Sequence, residues 1–268
     1  MRLSFVSDIH GNIEGLARVA ERVEHLIVLG DLLDYVDYHD PAGGILGTLF
    51  GAEKVGHFTA LRTRGDFVGL RAYNRGLWES IADPAGTLAD VVSGRYREVL
   101  AAVGPDTLLT LGNVDVASVW TQVAGDTLPY LDGQVVEIGG LRLGFVAGGA
   151  SSRPAGPRPP EDQVWQPLVR PATEYRESID TVFADGPVDV LCTHIPPDIA
   201  ALRYDVVPAR LEMPGPGLVE AIDRWTPRLS VFGHVHQPLA RRLRRGRTEC
   251  VNVGHFQRYP RAFEIDLD

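Results

Sequence analysis

Apolar runs alternate with stretches of helical spacing through much of the chain. Residues 3–7 (LSFVS) are a continuous apolar run, as expected of a strand buried on both faces, and Ile13, Leu16, Ala20 and Val23 recur at helical spacing over 13–23. A second apolar run covers 25–29. Strand, helix and strand of these lengths predict a βαβ unit with parallel strands. The pattern next predicts helices over 69–82 and 86–103, a strand over 108–111, and a hairpin of 135–138 with 141–147 turning at Gly139-Gly140. The Gly-, Pro- and Ser-rich stretch 148–171 reads as a loop. A helix over 173–183, a strand over 188–192, a helix over 217–225, a strand over 229–232 and a hairpin of 239–244 with 248–253 complete the series. Neither a repeat nor a clear linker interrupts it. Residues 1–268 are therefore expected to form a single domain with a mainly helical insertion at about 35–107.

Composition narrows this picture. A chain of 268 residues that is 44% hydrophobic can bury a sizeable core. The net charge of -9 argues against a general nucleic-acid binder, which needs clustered cations. Two cysteines, Cys192 and Cys250, are too few for a disulfide scaffold. The N-terminus enters a strand with no leader-like segment, and no apolar run is of membrane-spanning length. The expectation is a soluble cytoplasmic protein with no membrane partner and no strong sign of a nucleic-acid or protein partner.

The polar residues that follow the strands change the picture most. They are Asp8 and His10, then Asp31 and Asp34, Asn113 and Asp115, His194, and finally His234 and His236. Taken alone, Asp8 could cap the next helix, and a lone histidine is more often packed than functional. Five such strand ends are expected on one edge of one sheet, where open α/β sheets bind ligands. Burying so many carboxylates and imidazoles without a cation would be costly. Mixed imidazole and carboxylate donors suit Mn, Fe, Zn or Co better than Ca or Mg.

The blocks DIHGN (8–12), GDLLD (30–34), GNVD (112–115), TH (193–194) and GHVH (233–236) resemble, in order and context, those of the calcineurin-like metallophosphoesterases. The resemblance runs from residue 1 to about 254. It implies an α/β fold, specifically a four-layer αββα sandwich of two mixed β-sheets flanked by helices. It also implies a centre of two divalent or mixed-valence transition-metal ions, with Mn²⁺, Fe or Zn²⁺ expected. Asp8, His10 and His236 would bind one ion, Asn113, His194 and His234 the other, and Asp31 would bridge them. The resemblance further implies a metal-dependent phosphoesterase that uses a metal-bridging hydroxide for in-line attack on phosphorus. Asp34 would orient a ligand histidine. Asn12 either donates to the phosphate or caps a helix.

Many members of the family carry histidine where this chain has Val114. A branch of small phosphodiesterases that also begins with DIHGN lacks it, so the expected substrate is a phosphodiester, with nucleotides among the candidates. The expected catalytic set is Asp31, Asn113, Asp115 and His255, with His255 a substitute acid for the one missing at Val114. His39 and His57 are weaker candidates. A phosphomonoesterase or protein phosphatase, and a metal-dependent binding scaffold without turnover, are the alternatives.

The basic run RRLRRGR (241–247) is expected to lie away from the metals, because Arg244 is roughly 25 Å beyond His236 along an extended strand. The insertion places Arg62, Arg64, Arg71 and Arg75 near Tyr73 and Trp78. It is either a cap that binds substrate through Arg71 and Arg75 or a peripheral helical pair with its arginines in water. The RGD at 64–66 lacks supporting context, and Cys192 is expected to be a buried strand residue rather than a ligand.

Overall fold

The computed structural model describes residues 1–125, 127–151, 164–207 and 209–266. The chain opens with strand β1 (Arg2–Val6), helix α1 (Ile13–Ala20) and strand β2 (Leu26–Val28). Four consecutive helices follow: α2 (Gly44–Phe50), α3 (Ala52–Thr63), α4 (Phe67–Glu79) and α5 (Pro84–Ala102). Next come β3 (Leu108–Leu109), α6 (Ala117–Ala124), β4 (Gln134–Ile138), β5 (Leu141–Val146), β6 (Gly149–Ser151), β7 (Val169–Pro171) and α7 (Ala172–Val182). The remainder comprises β8 (Val190–Thr193), α8 (Ala200–Arg203), β9 (Tyr204–Asp205), β10 (Arg210–Leu211), α9 (Leu218–Trp225), β11 (Leu229–Phe232), β12 (Arg242–Arg245), β13 (Thr248–Asn252) and β14 (Phe263–Asp266).

Two mixed sheets organise these elements. One has the order β14-β1-β2-β3, with β14 antiparallel to β1 and the other neighbours parallel. The other has the order β12-β13-β11-β8-β5-β4, parallel in the middle and antiparallel at both edges. Side chains on a strand alternate between faces, and here the alternation sorts them into layers. Leu3, Phe5, Ile27 and Leu29 of the first sheet share a core with Phe145, Val190, Cys192 and Val231 of the second. The opposite face of the first sheet, with Val6, Val28 and Leu109, packs on Leu16 of α1 and on Val92, Tyr96 and Val99 of α5. The opposite face of the second, with Leu191 and Phe232, packs on Ile179 and Val182 of α7 and on Leu218 and Ile222 of α9. The result is helix, sheet, sheet, helix: the four layers that the family resemblance implies. Cys192 lies in the inter-sheet core, where burial raises its pKa.

The predicted hairpin at Gly139-Gly140 forms, with φ of 55° and 81°, as a two-residue turn of mirror-image type requires. Elsewhere the structure departs from the pattern. Helices α2 and α3 were not legible because Gly43, Gly44, Gly47 and Gly51 punctuate them. Yet α3 buries Val55, Phe58 and Leu61 at helical spacing. Within the stretch read as a loop, β6 and β7 pair in parallel, while 152–163 lie outside the described residues. The strand β14 closes the first sheet beyond the stretch that carries the resemblance. The RGD is a helix start, in which Asp66 caps α4 by accepting from the Gly69 N–H at 2.8 Å.

Candidate metal centre

The ligand-type residues follow β1, β2, β3, β8 and β11, all at one edge of the sandwich. The backbone there is unusual: Asp8, His10, Asp31 and His234 have φ of 60°, 42°, 53° and 67°, a region that side chains other than glycine rarely occupy. Strain of this kind persists only where surrounding structure fixes it. The fixing bonds are present. Asp8 N–H donates to Gly30 O at 3.0 Å, His10 N–H to Asp31 O at 2.9 Å and Gly233 N–H to His194 O at 3.0 Å. His234 N–H donates to the Asp8 carboxylate at 3.0 Å. Two glycines permit this convergence. A Cβ at Gly112 would collide with Asp31, and one at Gly233 with Ser7 and Asp8.

The side chains gather into two groups, Asp8–His10–His236 and Asp31–His194–His234, each with ligand atoms within 4.8 Å of one another. His10 Nε2 is 3.2 Å from His236 Nε2, and it lies 3.9 Å from Asp8 and 3.8 Å from Asp31. His194 Nε2 is 3.2 Å from Asp31 Oδ2 and 2.9 Å from Asn113 Oδ1, so the amide joins the second group through its carbonyl oxygen. His10 Nδ1 is 2.9 Å from Leu33 O, and His194 Nδ1 is 2.8 Å from Leu29 O. Each carbonyl thus holds the Nδ1–H tautomer and turns an Nε2 lone pair inward, the usual outer support of a metal-ligating histidine.

Electrostatics support a cation here. Asp8 and Asp31 are 1% and 3% exposed, and neither has an arginine or lysine partner among the described residues. Burial alone would raise both pKa values. The histidines outweigh it, His236 above all for Asp8 and His194 for Asp31, and both carboxylates stay ionised. His194 is lowered by burial but carried up to about 9 by Asp31 and Asp8, so its proton supplies the positive charge. A metal would displace that proton. His234 is driven down to about 4 by burial and His194, and its buried Nε2 has no hydrogen-bond partner. A neutral imidazole with an unpartnered buried nitrogen suits a metal ligand.

Other sequence-nominated residues fall elsewhere. Asn12 is a cap: its Oδ1 accepts from Gly15 N–H at 3.0 Å and its Nδ2 donates to Gln257 O at 2.9 Å, which leaves it ill placed to hold phosphate. Asp34 does not orient His10, since Leu33 O does so. Its carboxylate lies behind Gly11. Asp115 is fully buried as a backbone clamp, accepting from Leu32 N–H at 2.9 Å, Leu33 N–H at 3.2 Å and Gly112 N–H at 2.8 Å. It braces two ligand loops rather than reaching a substrate. Arg71 and Arg75 are exposed on α4 and make no side-chain hydrogen bond or ion pair among the described residues. His39 and His57 are likewise exposed.

Val114 has a structural account. Its side chain packs against the apolar core beside β3, and its backbone N–H donates to Asp31 Oδ1 at 3.0 Å. Backbone at this position holds the carboxylate between the two groups, whatever the side chain. His255 does join the site: its ring stacks on His236 at 3.8 Å and is edge-on to His10 at 6.0 Å. Burial and His236 lower its pKa to about 4, so it is neutral near pH 7 and suited to hydrogen bonding rather than to protonating a leaving group. Sequence reasoning missed two supports. Asn252 is buried and donates to Gly233 O and Val235 O at 3.1 and 3.0 Å, holding the GHVH turn. Gln257 donates to His10 O at 3.1 Å. Only their place at the end of β13 and just beyond it hinted at either.

No curated protein matches the chain. One solved structure, 16% identical, superposes with a TM-score of 0.60 over 96% of this chain and 91% of its own, a likeness of fold. The family model described as calcineurin-like phosphoesterase matches residues 1–238, which takes in all five blocks from 8–12 to 233–236. The chain therefore belongs to the calcineurin-like phosphoesterases, a family of metal-dependent hydrolases of phosphoric esters.

Proposed function

We propose that the protein is a phosphodiesterase. In this reading Asp8, His10 and His236 hold one ion, Asn113, His194 and His234 hold the other, and Asp31 lies between them. Residues 1–268 act as one catalytic domain, with 35–107 its insertion, and Mn²⁺, Fe or Zn²⁺ suits the donor set. When bound, the ions supply Lewis acidity toward the phosphoryl oxygens and activate water.

The observation that carries the diester reading is the apolar, partly buried side chain of Val114, packed against the core beside an otherwise full ligand set. No proton donor stands at that position, and His255 is neutral near pH 7. Missing general-acid help costs about 10²–10⁴-fold for a poor leaving group and far less for an activated one. With Mn²⁺ added, bis(p-nitrophenyl) phosphate should be hydrolysed faster than p-nitrophenyl phosphate, and alkyl monoesters more slowly still. A clear preference for the monoester would sink the diester reading.

A further inference from the structure

A cavity of about 210 Å³ has His255 in its lining. Ser7, Arg241, His255, Tyr259 and Arg261 are the polar side chains of a lining that also has five apolar residues, and no acidic side chain lines it among the described residues. It shares one imidazole wall with the metal centre, because the His255 ring stacks on His236. Ser7 directly precedes Asp8, so a second wall is also common to both.

The two guanidiniums at this cavity differ from two others of the basic run. Arg242 pairs with Glu249, and Arg245 pairs with Asp223 through two bonds of 2.6 Å. Arg241 and Arg261 have no ion pair among the described residues. Arg241 belongs to the basic run whose tip points away, but it sits at the base of the hairpin, where its carbonyl accepts from Asn252 N–H at 2.9 Å. Its Nη1 would lie 3.8 Å from a Cβ on Gly254, so the guanidinium lies close along the backbone that leads to His255. In a chain of net charge -9, two unpaired guanidiniums on one small cavity form a local anion site. The planar guanidinium fork matches phosphate geometry. The space suits one phosphoryl group rather than a drug-sized ligand, which needs about 300 Å³ or more.

We propose that Arg241 and Arg261 form a second anion subsite, which receives a further phosphoryl group of the substrate while its ester phosphate lies at the metal centre. The substrate class is then a phosphodiester that carries a second phosphate, as a phosphorylated nucleotide ester does. The inference rests on the diesterase reading for the identity of the first phosphate.

The test is calorimetric titration of the Mn²⁺-loaded full chain with adenosine 3′,5′-bisphosphate and with adenosine 5′-monophosphate. The wild type should bind the bisphosphate about tenfold more tightly, the scale of one charge-assisted contact. The double variant Arg241→Gln/Arg261→Gln should lose that preference and keep its monophosphate affinity within about twofold. Both positions are exposed, so the variant should fold. Equal affinities in the wild type, or a preference that survives in the variant, would overturn the proposal. Calorimetry needs no turnover. A chain that prefers the bisphosphate but fails to hydrolyse diesters would refute the diesterase reading and leave the subsite standing.

Discussion

The two ligand groups share an edge of the sandwich but are built differently. Asp31, His194 and His234 form the inner group, with side-chain exposures of 4% for Asp31 and 0% for His194. Asp31 and His194 stand three residues and one residue beyond β2 and β8, and Asn113 four beyond β3. The outer group opens to solvent: His10 and His236 are 13% and 35% exposed. Both lie four residues past a strand end, on loops held by Leu33 O, Gln257 and Asn252. Asp31 and His194, the most deeply buried donors of the inner group, should hold an ion tightly. Donors on open loops should exchange theirs. The contrast predicts that metal at the inner group is lost more slowly than metal at the outer group.

Asp31→Asn should have the largest effect, because that carboxylate faces both groups. Losing several kcal/mol of charge stabilisation corresponds to about a 10³-fold fall in kcat/KM, with metal content reduced in both groups. Activity within tenfold of wild type would refute its place between the ions. Next come the histidines, whose loss should cost at least the 10–100-fold in metal affinity typical of outer supports. For His236→Ala, excess Mn²⁺ should restore much of the activity. For His194→Ala it should not, since the inner group has no exposed route to compensate. Equal rescue of the two variants, scored by metal titration of activity, would erase the distinction between inner and outer groups.

A pH experiment probes the ground behind the outer group. Burial raises the Asp34 carboxyl from 3.8 to about 6, against weaker opposing pulls from Arg95 and from His10, and its Oδ1 has no hydrogen-bond partner. The protonated form is therefore the one the fold favours. The resulting stability is complete below pH 4 and is lost as pH rises through 6. Asp34→Asn, neutral at every pH, should stabilise the metal-free chain above pH 6 by at most roughly 3 kcal/mol and change little below pH 4. Chemical denaturation across that range decides. A uniform loss at every pH would mean that Asp34 makes a bond its carboxylate needs.

Those residues were legible in the sequence to different degrees, for physical reasons. Asp8, His10, Asp31, Asn113, His194, His234 and His236 each follow an apolar run, and a polar residue at a buried strand end shows up in the pattern. The four layers came from the family resemblance, and the buried strands were legible as unbroken apolar runs. The supports of the site were not. Leu29 O and Leu33 O orient two histidines, and a backbone carbonyl leaves no mark on residue choice. Asp115 looked like chemistry because it adjoins Asn113, yet its three bonds are all to backbone N–H groups. Asn252 and Gln257 act across the fold on turns that precede them in the chain, a distance no local spacing encodes.

The smallest effect is expected in the insertion, which repeats the contrast between fixed and open groups on one helix. On α4, Asn74 and Trp78 face inward and hold Tyr35: its hydroxyl donates to Asn74 Oδ1 at 3.1 Å and accepts from Trp78 Nε1–H at 3.0 Å. At the start of the insertion, Ile45 N–H and Leu46 N–H donate to Asp34 O and Tyr35 O at 2.9 and 3.0 Å. The insertion thus grips the loop after Asp31 from behind. Arg71 and Arg75 are exposed on the same helix, one turn apart, on the stripe adjoining that of Asn74 and Trp78. Surface substitutions of this kind usually change stability by less than about 0.5 kcal/mol. Arg71→Ala/Arg75→Ala should therefore leave KM and kcat within about twofold on any diester. Trp78→Phe removes the donor to Tyr35 and should cost about 1 kcal/mol of stability. A several-fold rise in KM for the double arginine variant, with kcat unchanged, would instead restore those arginines as a cap that binds substrate.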